Sequence, residues 1–120
     1  MWPSLGCRFD IAYTTAFLAR FNSAPTTAHH SAQMHLLRYL RGTVGFGIYY
    51  SASCLEGLAG FVDADWGGDE RDRKSTTGFV VKLYGSVVSA ASVKQKSVAT
   101  STLEAKYVVL AEIVKEVLWL

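Results

Sequence analysis

Residues 61–81 read FVDADWGGDERDRKSTTGFVV, two apolar runs on either side of a charged loop with a Gly-Gly pair. Side chains alternate between the two faces of a strand, so Phe61 and Asp63 share a face and Asp63 stands where the first strand ends. Two interpretations are open. Asp63 and Asp65 begin a polar turn, a common role of Asp, or Asp63 is a ligand or catalytic group at a strand end. These residues alone favour the turn.

Outward from this segment, hydrophobic periodicity and breaker residues predict the other elements. Strands are predicted at 44–50, 58–63, 77–83 and 86–92, with a tight turn at Tyr84-Gly85. Helices are predicted at 10–22 and at 102–120. Between them, a further helix is predicted to begin after an N-cap at Thr26 or Thr27 and to end at about Arg41. Two helices, a run of strands and a final helix predict an α+β fold. The last helix reaches Leu120 without a stop signal, which predicts that the chain is part of a longer domain.

Glu104 lies on the first turn of the last predicted helix. It precedes Tyr107 by three residues and Val108 by four, which predicts that it shares the buried stripe. That stripe is predicted to consist of Tyr107, Val108, Ala111, Val114 and Leu118. A buried carboxylate needs a hydrogen-bonding partner or a cation. The alternative is a capping box, Ser101-x-x-Glu104, in which Glu104 reaches back to the N-cap amide.

Asp63 and an inward Glu104 together would form an oxygen-rich pair. Such pairs suit Mg²⁺, which prefers carboxylate oxygens. Two metal ions about 4 Å apart would activate water for phosphodiester hydrolysis. A site of that kind uses three or four carboxylates, and the sequence offers two good candidates.

The composition bounds the class of protein. A chain of 120 residues is one domain at most or a piece of a larger one, and 50% hydrophobic residues suffice for a core. Cys7 and Cys54 are too few for a disulfide scaffold and lack partners at zinc-ligand spacing, which favours a reducing compartment. No apolar run approaches the roughly 18 residues of a membrane helix. The first residues imitate a signal peptide poorly, because Asp10 interrupts the apolar segment.

Basic and histidine side chains carry weaker signals. A net charge of +2 permits a polyanionic partner without arguing for one. The candidates for phosphate contact are Arg73, Lys74, Lys94 and Lys96. Solvation of the loop is the alternative, because neighbouring acidic residues cancel much of this charge. The histidines, His29, His30 and His35, have no catalytic partner at suitable spacing, and we expect surface or capping roles for them.

Three long runs follow one another along the chain, DADWGGD at 63–69, DRKSTTGF at 72–79 and STLEAKYVVLAE at 101–112. With these runs, and across nearly its whole length, the sequence resembles the end of the polyprotein of copia-type (Ty1/copia) retrotransposons. Residues 1–43 resemble the end of a reverse transcriptase, and residues 44–120 resemble the N-terminal half of a ribonuclease H domain. The resemblance implies a truncated ribonuclease H-like α+β fold, with antiparallel strands followed by a helix and preceded by two helices.

The resemblance also implies an activity, the Mg²⁺-dependent cleavage of RNA in RNA–DNA hybrids. It makes Asp63 the first metal-binding, catalytic aspartate and Glu104 the glutamate of the following helix, while Asp65 matches a family position without a metal role. The family's next aspartate lies in a CDNQ-like motif that this sequence does not include. We therefore expect a magnesium site that is weak or absent and no activity of the chain alone. The implied partners are an RNA–DNA hybrid and the rest of the polyprotein, inside the cell in cytoplasm or nucleus.

A different class of function is indicated by Arg38-Tyr39-Leu40-Arg41. These residues match the Arg-x-Leu-Arg signature of secreted oomycete effectors, about forty residues from the start of the chain. That interpretation predicts secretion and contact with proteins of a host cell. The competing explanation is that the copia resemblance already accounts for these four residues at a helix end.

Overall fold

A computed structural model describes Ser4, residues 6–51 and residues 56–120. The chain divides into two compact units at the bond between Ile48 and Tyr49, and each unit is described by itself. Cys54, and residues 1–3 and 5 of the weak leader-like segment, lie outside the described residues. None of the helices within the described ranges is long and apolar enough to cross a membrane.

The first unit contains a 3₁₀ turn at Phe9–Ile11, helix α1 at Ala12–Ala19 and helix α2 at Thr27–Gly42. The predicted helix at 10–22 is therefore shorter and begins with a tighter turn. Thr26 caps α2 as predicted. Its hydroxyl accepts the His29 N–H at 3.4 Å, and its own N–H donates to His29 Nδ1 at 3.1 Å. Two backbone N–H groups at the helix start, those of Thr26 and His29, are thereby satisfied, which confirms the capping role of His29.

A buried arginine joins the start of this unit to the end of α2. Arg8 donates to the Asp10 carboxylate and to both the carbonyl and the hydroxyl of Thr43. Tyr39 donates its hydroxyl to the same Asp10 carboxylate at 2.8 Å. The hydrogen bonds from Arg8 lower the pKa of Asp10 to about 2. The carboxylate is therefore ionised at neutral pH, where it pairs with the Arg8 guanidinium.

The second unit is built on a three-stranded antiparallel sheet. The strands are β1 at Leu58–Asp65, β2 at Thr76–Leu83 and β3 at Ser86–Lys94, in the order β1-β2-β3. Tyr84 and Gly85 connect the last two with φ values of 50° and 75°. Positive φ at both central residues is the geometry of a two-residue hairpin turn, which confirms the predicted turn.

The strand predicted at 44–50 is wrong. Residues 46–50 are irregular, and Tyr49 and Tyr50 instead anchor the start of β3. The Tyr49 carbonyl accepts the hydroxyl of Ser86 at 2.6 Å, and the Tyr50 hydroxyl donates to the Val87 carbonyl at 3.1 Å. Two glycines in this segment weaken it as a strand, and its aromatic residues are used as anchors rather than in a ladder.

Helix α3, at Thr102–Trp119, packs across β1 and β2. The core consists of Phe79, Val81 and Ile113, with Val88, Ala91 and Val117 packed around them. Gly60 lies opposite Val81 in the sheet, and a Cβ on Gly60 would come within 2.6 Å of Ile113 Cδ1. The absence of a side chain at Gly60 is therefore what lets α3 approach β1 this closely.

The buried stripe of α3 differs from the predicted one. Ala105, Val109 and Ile113 are buried, whereas Tyr107, Val114 and Leu118 are more than half exposed. The two stripes have the same helical spacing but lie on different sides of the helix. The prediction that Glu104 lies on the buried stripe is wrong for the same reason, and Glu104 is exposed.

Candidate functional site

Asp63 lies near the end of β1, opposite Gly78 of β2, and is exposed. Paired residues of antiparallel strands share a face, and Gly60 pairs with the buried Val81 beneath α3. The alternating residues Phe61 and Asp63 therefore belong to the opposite face of the sheet. β1 is an edge strand of the described sheet, so Asp63 lies on an edge of the sheet.

Asp65 takes part in the turn that follows β1. Its carboxylate lies directly against the backbone of Gly68, where any Cβ would overlap it. Gly67 has a φ of 60°, and its N–H donates to the buried Ser75 hydroxyl at 3.2 Å. Gly67 is thus favoured by its positive φ, whereas a Cβ at position 68 would displace the carboxylate of the exposed Asp65. For Asp65, this arrangement is the polar turn that the sequence favoured.

Glu104 is held by the residues just before α3. Its Oε2 accepts the Thr100 N–H at 2.6 Å and the Thr100 hydroxyl at 2.7 Å, while Ser101 Oγ accepts the Glu104 N–H at 3.1 Å. The hydroxyl and N–H of Thr100 hold the pKa of Glu104 below its usual range. Ser101 is the N-cap as predicted, but Glu104 reaches one residue further back than a capping box requires.

Buried polar contacts tie the start of α3 to the same end of the sheet as Asp63. The Gln95 amide donates to Thr77 Oγ1 at 3.1 Å and to the Ala105 carbonyl at 3.0 Å. The Trp66 indole donates to the Ala99 carbonyl at 3.0 Å. The end of β1 and the start of α3 therefore lie near one another, but Asp63 belongs to the face of the sheet opposite α3, and both carboxylates are exposed.

These carboxylates fit Mg²⁺ in kind but not in number. Both offer the hard oxygen ligands that the ion prefers. Throughout the described ranges, however, no three His, Cys, Asp or Glu side chains are grouped so that they could hold a metal ion. One oxygen of Glu104 is already occupied by two hydrogen bonds. The two residues form part of a ligand set at most, and no reaction step through a metal follows from them.

The predicted phosphate-binding residues divide into two groups. Lys94 lies between Asp69 and Asp72, with its Nζ 2.5 Å and 2.8 Å from their carboxylates, and the hydrogen bond from Lys94 lowers the pKa of Asp72. This lysine closes the loop after β1, an interaction that competes with phosphate contact. Arg73 and Lys96 are exposed and Lys74 is half-buried, and their contact with phosphate stays a prediction.

The Arg-x-Leu-Arg match occupies the end of α2. Arg38 and Arg41 are exposed there, Leu40 is half-buried, and Tyr39 makes the hydrogen bond to Asp10. The two basic groups are thus presented on a regular helix. Their position near its C-terminus is electrostatically favourable, because cations stabilise that end of a helix.

Known proteins give three informative similarities. The chain is 40% identical to the secreted RxLR effector protein 161 of Plasmopara viticola over 120 residues, which are all of this chain and 84% of that protein. It is 40% identical to the retrovirus-related Pol polyprotein from transposon TNT 1-94 of Nicotiana tabacum, over all of this chain and 9% of that protein. The corresponding polyprotein from transposon RE1 of Arabidopsis thaliana is 39% identical over 94% of this chain and 8% of its own length.

The chain thus spans most of the effector and less than a tenth of each Pol polyprotein. No protein-family model matches it, and no solved structure gives a significant match.

Proposed function

This chain belongs to the copia-type retrotransposon Pol family, and from that premise we propose that its second unit is the ribonuclease H-like part of such a polyprotein. In this proposal Asp63 and Glu104 are two of the carboxylates of a nuclease site, and the remaining ligands come from the rest of the polyprotein. The chain by itself does not cleave an RNA–DNA hybrid.

The order of elements is the observation that supports this proposal. Three antiparallel strands are followed by a helix that packs on them, as the family resemblance implies. Asp63 lies on the first strand and Glu104 on the first turn of that helix. At this end of the sheet, Trp66 just after β1 donates to Ala99 in the segment before α3, and Gln95 joins Thr77 of β2 to Ala105 of α3.

A bound magnesium ion would supply the charge that stabilises the leaving oxygen and would activate a water molecule. Asp63 and Glu104 would serve as ligands, and both are exposed. A cation ligand must be ionised, as a glutamate is at neutral pH, and the hydrogen bonds from Thr100 lower the pKa of Glu104 further. With only part of the carboxylate set present, we expect most of the catalysis to be lost, because residues that act as a unit fail together.

The test is cleavage of a labelled RNA–DNA hybrid in Mg²⁺, by the chain alone and with the remainder of a copia polyprotein added. We expect cleavage only in the mixture, and its loss in Asp63→Asn and Glu104→Gln. Asp72→Asn is the matched control, because this carboxylate pairs with Lys94 in the loop. Robust cleavage by the chain alone that disappears in Asp63→Asn would contradict the partial-site proposal. Cleavage by the mixture that survives both site variants would contradict their role as ligands.

A second function, that of a secreted effector acting on host proteins, is favoured by one observation. The Plasmopara viticola protein named as a secreted RxLR effector is matched over 84% of its length. In this proposal Arg38 and Arg41 carry the export signal on the exposed end of α2. Export from the producing cell is then expected to fall in the double variant Arg38→Ala/Arg41→Ala and to persist in Arg20→Ala. Retention of the intact N-terminus inside the producing cell would contradict this function.

A further inference from the structure

Gln95 follows β3 directly and is buried, with 5% of its surface exposed. Its N–H donates at 2.8 Å to the carbonyl of Ser75, which directly precedes β2. Its side-chain amide donates to Thr77 Oγ1 at 3.1 Å and to the Ala105 carbonyl at 3.0 Å. One residue at the end of β3 is therefore bonded both to the start of β2 and to the first turn of α3.

The side-chain oxygen of Gln95 is the unusual part of this arrangement. The Ala105 carbonyl can only accept a hydrogen bond, so the NH₂ group of the amide must face it, and this fixes the orientation of the amide. Gln95 Oε1 is then buried without a hydrogen-bonding partner among the described residues. Those residues already enclose the oxygen, so no further segment of chain could reach it without displacing them. A buried amide oxygen without a partner is destabilising, and such exceptions are expected where function rather than stability selects the residue.

We propose that Gln95 is a positioning residue of the candidate nuclease site, and that its two side-chain hydrogen bonds hold the first turn of α3, with Glu104, in a fixed place on the sheet. Ala105, which accepts one of these bonds, follows Glu104 directly and is fully buried. Gln95 itself contacts neither substrate nor metal in this proposal. The inference rests on the proposed nuclease function, because the group that is positioned is the carboxylate of Glu104.

The other hydrogen bond reaches the part of the sheet next to Asp63. Thr77, which accepts it, pairs with Ala64 of β1, and Ala64 directly follows Asp63. Asp63 belongs to the face of the sheet opposite α3, so the separation of the two carboxylates depends on where the first turn of α3 lies relative to the end of β1. The hydrogen bonds of Gln95 determine that position, because they join the neighbour of Glu104 to the strand that pairs with β1.

Replacing Gln95 by methionine separates a positioning role from a purely structural one. Gln95→Met fills a similar space with an unbranched side chain, and it removes both the donated bonds and the unpaired oxygen. The Ala105 carbonyl keeps its helical hydrogen bond, because it lies inside α3. We therefore expect Gln95→Met to fold, with the first turn of α3 displaced. Loss of a group that orients a metal ligand typically lowers metal affinity or activity by about 10–100-fold.

The first measurement is cleavage of the labelled RNA–DNA hybrid by the mixture of this chain and the remainder of a copia polyprotein, over a range of Mg²⁺ concentrations. Gln95→Met is expected to raise the Mg²⁺ concentration for half-maximal rate by about tenfold or more and to leave the KM for the hybrid unchanged. Thr77→Val removes the hydroxyl partner with little change of shape and is expected to act in the same direction. Ile113→Val is the matched control, because Ile113 belongs to the core beneath the later turns of α3.

The second measurement needs no activity. Residual dipolar couplings of the chain alone report the orientation of the N–H bonds of Leu103 and Glu104 relative to those of β2. We expect these couplings to change in Gln95→Met and to keep the parent values in Ile113→Val. Circular dichroism and urea unfolding confirm that each variant is folded, and if Gln95→Met does not fold, Thr77→Val carries both measurements.

The outcomes that contradict the positioning role differ from those that contradict the nuclease function. Parent-like couplings and Mg²⁺ dependence in both Gln95→Met and Thr77→Val would overturn the positioning role, even where Glu104→Gln abolishes cleavage. An equal rise of the Mg²⁺ requirement in Ile113→Val would overturn it as well, because the effect would then be a general loss of stability. Cleavage that survives Glu104→Gln, with altered couplings in Gln95→Met, would overturn the proposed function and not the effect of Gln95 on α3.

Discussion

Gly60→Ala is a sharp test of how α3 packs on the sheet. The added Cβ would lie 2.6 Å from Ile113 Cδ1 and 3.5 Å from Ile113 Cγ1. Carbon atoms in contact are about 3.5–4.0 Å apart, so only the first distance is too short. Ile113 is 6% exposed in the core and has little room to move. Overpacking of this kind costs about 1–3 kcal/mol.

The expected net effect of Gly60→Ala is smaller than the overpacking cost. Replacing a strand glycine by alanine stabilises the folded state by roughly 0.5–1 kcal/mol, because alanine loses less backbone entropy on folding. We therefore expect Gly60→Ala to lower the free energy of unfolding by about 1–2 kcal/mol. Ile113→Val removes Cδ1 and costs about 1 kcal/mol by itself. With the shortest contact removed, the double variant should be at least as stable as Ile113→Val alone, and more stable by up to about 1 kcal/mol, the entropic gain of the alanine.

The assay is urea unfolding at a fixed protein concentration, followed by tryptophan fluorescence. Trp66 and Trp119 both belong to the second unit, and Trp2→Phe as a common background restricts the signal to them. Gly57→Ala is the control, because a Cβ on Gly57 meets no atom within 4 Å. Additive effects of Gly60→Ala and Ile113→Val would refute the packing of α3 on β1, since independent sites show no coupling.

Three further substitutions have defined outcomes. Asp10→Asn should destabilise the first unit by about 1 kcal/mol at pH 7, after allowance for the side chain's exposure. Because Arg8 lowers the pKa of Asp10 to about 2, the difference in stability between the parent chain and Asp10→Asn should shrink as pH falls from about 4 towards 2. Amide hydrogen exchange in α2 measures this difference. A pH-independent difference would contradict the ion pair. Ser101→Ala should lower the free energy of unfolding of the second unit by about 1 kcal/mol, measured by urea unfolding, because the N-cap is lost. Ser101→Asp should retain this stability, since Asp is also a good N-cap, and an equal loss in both variants would contradict the capping role. Gly68→Ala should lower the stability of the same unit, because the new Cβ displaces the Asp65 carboxylate. Adding Asp65→Ser, which removes this carboxylate, should restore most of the lost stability, and a double variant as unstable as Gly68→Ala would contradict the close contact.

The elements with strong local signals were predictable from the sequence. Thr26 follows a breaker and precedes a periodic apolar run, and it is the N-cap of α2. Tyr84-Gly85 separates two apolar runs by two residues and forms the hairpin turn. Ser101 precedes the last helix and caps it. In each case the side chains that determine the structure are close in sequence, so no tertiary information is needed.

The predicted strand at 44–50 and the predicted buried stripe of α3 were wrong because both are determined by contacts between residues that are distant in sequence. The aromatic residues at 44–50 have strand propensity, but a strand requires a partner, and Tyr50 instead donates its hydroxyl to Val87. In α3, apolar residues cover more than one side of the helix, so spacing alone could not select the buried stripe. The selection comes from size complementarity. The side chain of Ile113 requires a glycine beneath it, and Gly60 supplies it from a strand more than fifty residues earlier.

Because Glu104 is exposed, its position no longer argues for a bound cation. A carboxylate on the buried stripe would have required a cation or a buried donor, which made its position an argument for metal binding. An exposed carboxylate has no such requirement, and Thr100 already supplies two donors to Oε2. A cation at Glu104 must therefore bind through the other oxygen or displace these hydrogen bonds. Thr100→Val would remove the hydroxyl donor and leave the N–H. If Glu104 is a metal ligand, this variant should bind Mn²⁺ at least as tightly as the parent chain, and weaker binding would show that Thr100 positions the carboxylate for the ion.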